Sequence, residues 1–142
     1  MGLCTRVGDE EGFIRAIEKR KRINMEAKEF NERMVSSIPK MAGPYKAAIE
    51  WWMDDEPGPT VLVEDDLMPL VYKALDDEDE AFLAKFALWM EDMVSLKDEL
   101  TRSTIYVCVF EKAFYEGRIE ELKPYFLKAS KEMYEGTSFA KK

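Results

Sequence analysis

Apolar residues recur at helical spacing along the first quarter of the chain. Phe13, Ile14 and Ile17 are followed by Ile23, Ala27, Phe30, Met34 and Ile38. Steps of three and four keep such residues on one helix face. The pattern predicts a helix that starts near Asp9 or Glu10, where acids suit the first turn, and stops at Pro39. Gly43-Pro44 opens a second helix, with Tyr45, Ala48, Ile49, Trp52 and Met53 on its apolar side. Pro57-Gly58-Pro59 then breaks the chain. Thr60-Val61-Leu62-Val63 is rich in β-branched and apolar residues, and reads as an extended segment packed against a helix.

Further along, Asp65 or Asp66 is placed to cap a third helix carrying Leu67, Leu70, Val71 and Leu75. Asp76 or Asp77 is placed to cap a fourth, with Phe82, Phe86, Trp89, Met90 and Met93 facing inward. A fifth helix runs from about Lys97 to Tyr115. It is apolar almost all round between Ile105 and Phe110, which predicts the central helix of the bundle. Gly117 ends it. Ile119 and Leu122 make a short linking turn, and a last helix around Pro124 to Tyr134 stops at Gly136.

These elements predict one all-α domain over residues 1–142, a bundle or irregular stack of five to seven helices, with 1–8 and 137–142 frayed. A chain of 142 residues with 46% hydrophobic content can bury a core of its own. No apolar run reaches the ~18–20 residues that cross a bilayer. No charged start leads into a secretory apolar region, so a cytoplasmic protein is expected. Arg6 stands where an N-myristoylation pattern requires Ser or Thr, so Met1-Gly2-Leu3-Cys4 is read as an ordinary start. Cys4 and Cys108 form no disulfide framework. Cys108 lies among apolar neighbours and is expected to behave as a small buried hydrophobe in a reducing compartment.

Charge adds a feature that periodicity does not show. Between Asp54 and Glu80 there are eleven acids and one base, Lys73, a local net charge of −10. The whole chain carries −8. The acids fall in three clusters: Asp54-Asp55-Glu56, Glu64-Asp65-Asp66 and Asp76-Asp77-Glu78-Asp79-Glu80. Each lies at a predicted helix end, so capping and solvation explain part of the pattern. An EF-hand loop is not expected in the last cluster, which lacks the required glycine. The remaining reading is an acidic docking face for a basic protein, assembled if helices two to four bring the clusters to one edge.

The chain contains no histidine. This removes the commonest general base, the Ser–His and Cys–His nucleophile pairs, and imidazole metal sites. Glu29-x-x-Glu32 matches half of the magnesium motif of all-α nucleotide pyrophosphohydrolases, but no E-x-x-D follows at suitable spacing. No catalytic residue, metal ligand or cofactor is therefore assigned. Lys19-Arg20-Lys21-Arg22 points around the whole helix cylinder and is surrounded by acids, so nucleic-acid binding is not expected. Trp51-Trp52-Met53 cannot all face one core. Either Trp51 packs under Pro57-Gly58-Pro59, or the pair includes an exposed interface anchor.

Phe86-Ala87-Leu88-Trp89-Met90-Glu91-Asp92-Met93, with Val107-Cys108-Val109-Phe110-Glu111 a helix later, resembles a family of small bacterial all-helical proteins. That family carries an F-x-x-x-x-E-x-M/L … L/F-E core signature, and Ile38-Pro39 and Lys123-Pro124-Tyr125 fit it loosely. Small acidic bacterial domains of this kind look like immunity proteins paired with secreted toxins. The resemblance implies an antitoxin role and supplies no catalytic residues.

The expectation is thus a non-catalytic protein-binding domain, an immunity protein that neutralises a basic toxin. Its contact residues would be Trp51, Trp52, Asp54, Asp55, Glu56, Glu64, Asp65, Asp66, Asp76, Asp77, Asp79 and Glu80. No membrane or nucleic-acid partner is expected. The alternatives are a self-associating structural or adaptor domain and a magnesium-dependent hydrolase.

Overall fold

The computed structural model describes residues 25–141. The segment 1–8, Cys4, the Lys19–Arg22 run and the first half of the predicted first helix lie outside them. The described residues form seven helices and no strand, which makes the fold all-α. Helix α1 is Ala27–Ser37. A 3-10 turn, Pro39–Met41, leads into α2, Ala42–Trp51. Helix α3 is a continuous run of Pro59–Leu62, a π-helical turn Val63–Leu67, and Met68–Asp77. Helix α4 is Glu80–Ser95. Helix α5 joins Glu99–Thr104, a second π-helical turn Ile105–Glu111, and Lys112–Tyr115. Short α6, Ile119–Leu122, precedes α7, Lys128–Glu135.

Helix α4 occupies the centre. It buries Phe82, Leu83, Phe86, Ala87, Trp89, Met90, Met93 and Val94, and packs against α1, α3, α5 and α7. Steps of three and four from Phe82 and from Leu83 trace two adjacent stripes, wide enough to meet neighbours on several sides. Each large apolar side chain so buried contributes about 1.5–3 kcal/mol. Trp89 packs edge-on against Phe30 of α1, with centroids 5.8 Å apart. The expectation that helix five is central is corrected: Val107 is 42% exposed. The π-turn there still places the consecutive residues Cys108, Val109 and Phe110 inward, because a π-turn has more residues per turn than an α-turn.

Three further expectations are corrected. Thr60–Val63 is helical, since Pro59 at the first position opens α3 six residues ahead of Asp65. Asp65 and Asp66 therefore lie inside the π-turn and cap nothing. Asp76 and Asp77 end α3, and Asp79 caps α4, its Oδ1 accepting from Phe82 N at 3.1 Å. Near the end of the described residues Thr137 is buried, and Phe139 stacks on Phe114 with centroids 5.2 Å apart.

Candidate interaction surface

Helix α2 lies outside the core and buries none of its residues fully. Tyr45 and Ala48 pack against the core from one side. Its apolar residues run out at Trp51, where the helix closes on Asp54 N donating to Ile49 O (2.8 Å) and Met53 N donating to Glu50 O (3.2 Å). This pair of bonds is the Schellman closure, which puts a left-handed residue just past the helix. Glycine usually takes that place; here Met53 has φ +56° and Asp54 φ +69°. A side chain held there costs roughly 1–2 kcal/mol, less for Asp, which hydrogen-bonds locally.

The turn that follows is held by a small polar network. Glu56 Oε2 accepts from Asn31 Nδ2 at 2.8 Å and from Tyr45 OH at 2.6 Å. Asn31 Nδ2 also donates to Pro57 O at 2.9 Å. Three segments are thereby tied together: α1, α2 and the Pro57 turn. Asn31 is fully buried, and its Oδ1 has no hydrogen-bond partner. Both its acceptors need the NH₂ group, so the amide cannot turn round to satisfy the oxygen. Burial, and then the Glu56 carboxylate beside it, raises the Tyr45 phenol above its ordinary value.

This anchoring presents a tip. Trp51 is 83% and Met53 87% exposed, Trp52 is 38% exposed, and Asp54 and Asp55 project beside them. Trp51 does not pack under Pro57-Gly58-Pro59. Among the described residues, Asp54 and Asp55 take part in no ion pair.

The three acidic clusters do not behave alike. In the first, Asp54 and Asp55 face solvent while Glu56 turns inward. In the second, Asp65 is exposed, and Glu64 and Asp66 are half-buried. Burial, and then Asp65, raises the Asp66 carboxyl. Glu64 approaches the buried Cys108, whose thiol is pushed up to about 12, chiefly by burial and then by that carboxylate. Cys108 Sγ itself points to Thr60 O at 3.8 Å, where the two π-turns pack together.

Four of the five acids of the third cluster have partners within the chain, and Glu78 is exposed. Asp76 pairs with Arg118 at 2.7 Å, and Asp77 with Lys73 at 2.6 Å. Asp79 caps α4, and Lys40 lies 3.8 Å from it. Glu80 accepts from Tyr125 OH at 2.9 Å. Asp65 and Asp76 are also separated by eleven positions of α3, roughly 16 Å along its axis. The second and third clusters are thus spread along α3, and Asp54, Asp55, Asp65 and Glu78 are exposed with no ion pair among the described residues.

Sequence reasoning passed over Asn31 and read Tyr45 only as part of the apolar side of the second helix; these two side chains seat this turn. The signal for Asn31 was its position four residues after Ala27, on the buried face of α1. A polar residue there needs a partner. Among the described residues no group of three or more Cys, Asp or Glu side chains is arranged to hold a metal ion. No described helix is long and apolar enough to cross a membrane.

No curated protein and no solved structure matches the chain. Residues 31–141, which run from the buried Asn31 to the 3-10 turn beyond α7, match the model of a domain of unknown function, DUF7674, and the chain belongs to that family.

Proposed function

We propose that this chain is a non-catalytic protein-binding domain, and that it acts as an immunity protein by docking the Trp51–Asp55 tip on a basic protein toxin. The observation that carries this reading is the side-by-side exposure of Trp51, Met53, Asp54 and Asp55 on a turn fastened by Glu56. Aromatic anchors supply much of the lifetime of a complex once desolvated. Carboxylates around them speed encounter with a cationic surface and set orientation. Fastening the turn beforehand lowers the entropy lost on binding. The third acidic cluster contributes less, because Asp76, Asp77 and Asp79 already face cations of the chain itself.

The test is capture of partners from native cells on the tagged chain, washed at low and at high salt. A basic protein held at low salt, weakened at high salt and lost with Trp51→Ala supports the reading. A captured protein indifferent to salt and to Trp51→Ala sinks it. Trp51 is too exposed for its removal to unfold the chain; surface truncations of this kind cost within about 0.5 kcal/mol.

A further inference from the structure

A second surface complements the tip. Between the end of α4, the start of α5 and α7 lies an open pocket of about 400 Å³. Val94, Ala129 and Met133 supply apolar walls, Lys97 and Arg102 two positive charges, and Glu132 one negative charge. Arg33 and Arg118 are ion-paired. Arg102, half-buried, and Lys97 take part in no ion pair among the described residues. A guanidinium partly withdrawn from water gains from an anionic partner.

We propose that this pocket receives the Trp51–Asp55 tip of a second copy of the chain. The tip offers a large aromatic flanked by two carboxylates. The pocket offers apolar walls flanked by two cations. An aromatic side chain buries about 150–250 Å² when fully enclosed, and one laid in this open pocket buries part of that against Val94, Ala129 and Met133. Copies carrying a net charge of −8 repel one another at long range, so a contact between them requires a local match of opposite charge, which these surfaces provide. The contact is heterologous: reciprocal exchange closes a two-fold dimer, and one-way docking continues as a chain of copies. Because the same tip is used, self-association competes with the capture of a partner, whatever the partner is.

Sedimentation velocity of the full chain, from micromolar to near-millimolar concentration, tests this. Concentration-dependent association is expected. Trp51→Ala, the pair Asp54→Lys/Asp55→Lys, and the pair Lys97→Glu/Arg102→Glu should each weaken it by about tenfold or more, the factor that 1.4 kcal/mol represents. Mixing the two charge-reversed pairs should restore a complex that neither forms alone. A chain that stays monomeric throughout overturns the proposal, as does association that ignores both reversals or a mixture that fails to recombine. A monomer that still captures a basic protein through Trp51 removes this contact and leaves the partner-binding reading intact.

Discussion

Glu91 of α4 caps α7 through Ser130. Its Oε1 accepts from Ser130 N at 2.9 Å and from Ser130 Oγ at 3.0 Å, while Oε2 accepts from Ala129 N at 2.8 Å. Helix α7 has no capping side chain at its own N-cap, Leu127, so the carboxylate of another helix satisfies its first amides and meets the positive end of its dipole. Glu91 is thus a structural fastener between α4 and α7.

Replacing Glu91 tests this. Glu91→Ala should cost about 1.5–3 kcal/mol, the range for hydrogen bonds to a charged group, read as a lower urea midpoint with unchanged slope. The effect should depend on pH. Burial alone would raise the Glu91 carboxyl, but the bonds from Ala129 and Ser130, with Lys128 nearby, hold it below its ordinary 4.5. A depressed folded value means the contribution is present above the ordinary value and is lost as pH falls through the folded one. Wild type and Glu91→Ala should therefore converge in stability in acid. A gap that persists there rejects the ionised cap.

Glu56→Ala removes the acceptor shared by Asn31 and Tyr45. A loss of roughly 1–3 kcal/mol is expected, because Asn31 keeps only its bond to Pro57 O. Tyr45 supplies the second readout. Its folded value lies above its ordinary value, so its contribution is complete below about pH 10 and fades as pH rises. Absorbance titration should show a late-titrating tyrosine that moves earlier in Glu56→Ala. An unchanged curve would show that the network does not hold.

Met53→Gly should raise the melting temperature. A left-handed residue after a helix favours glycine by about 1 kcal/mol over a residue with a side chain, and Met53 is exposed, so little packing is lost. A fall in stability would place Met53 outside the left-handed region.

The Cys108 thiol, pushed up to about 12 by burial and by Glu64, should be inert at neutral pH. In a Cys4→Ser chain, labelling by a thiol reagent should be negligible until denaturant opens the fold. Prompt labelling of the native chain would refute the packing of the two π-turns around it.

Local signals carried much of this fold. Phe82, Phe86, Trp89 and Met93 follow helical spacing without interruption, and the predicted inward face of α4 is the observed one. Gly117 closes α5 at φ +74°, as a glycine after an apolar run suggests. Met53, Glu78 and Lys97 also take left-handed values, each just past the end of a helix, and no residue preference announces them. Thr60–Val63 misled because β-branched residues favour strands only when a sheet is there to receive them. Pro59 at a helix start and a packed neighbour in α5 decided otherwise.

The sequence alone determined the all-α class, the apolar faces, the exclusion of histidine chemistry and the concentration of acid between Asp54 and Glu80. Those follow from residue type and spacing within a turn or two of helix. Only the tertiary structure decided which acids are free. Asp76 and Arg118 are far apart in the chain yet paired, Glu56 turns inward to Asn31, and Trp51 remains in water. Charge and hydrophobicity are properties of single residues, whereas pairing and exposure depend on what other segments bring alongside.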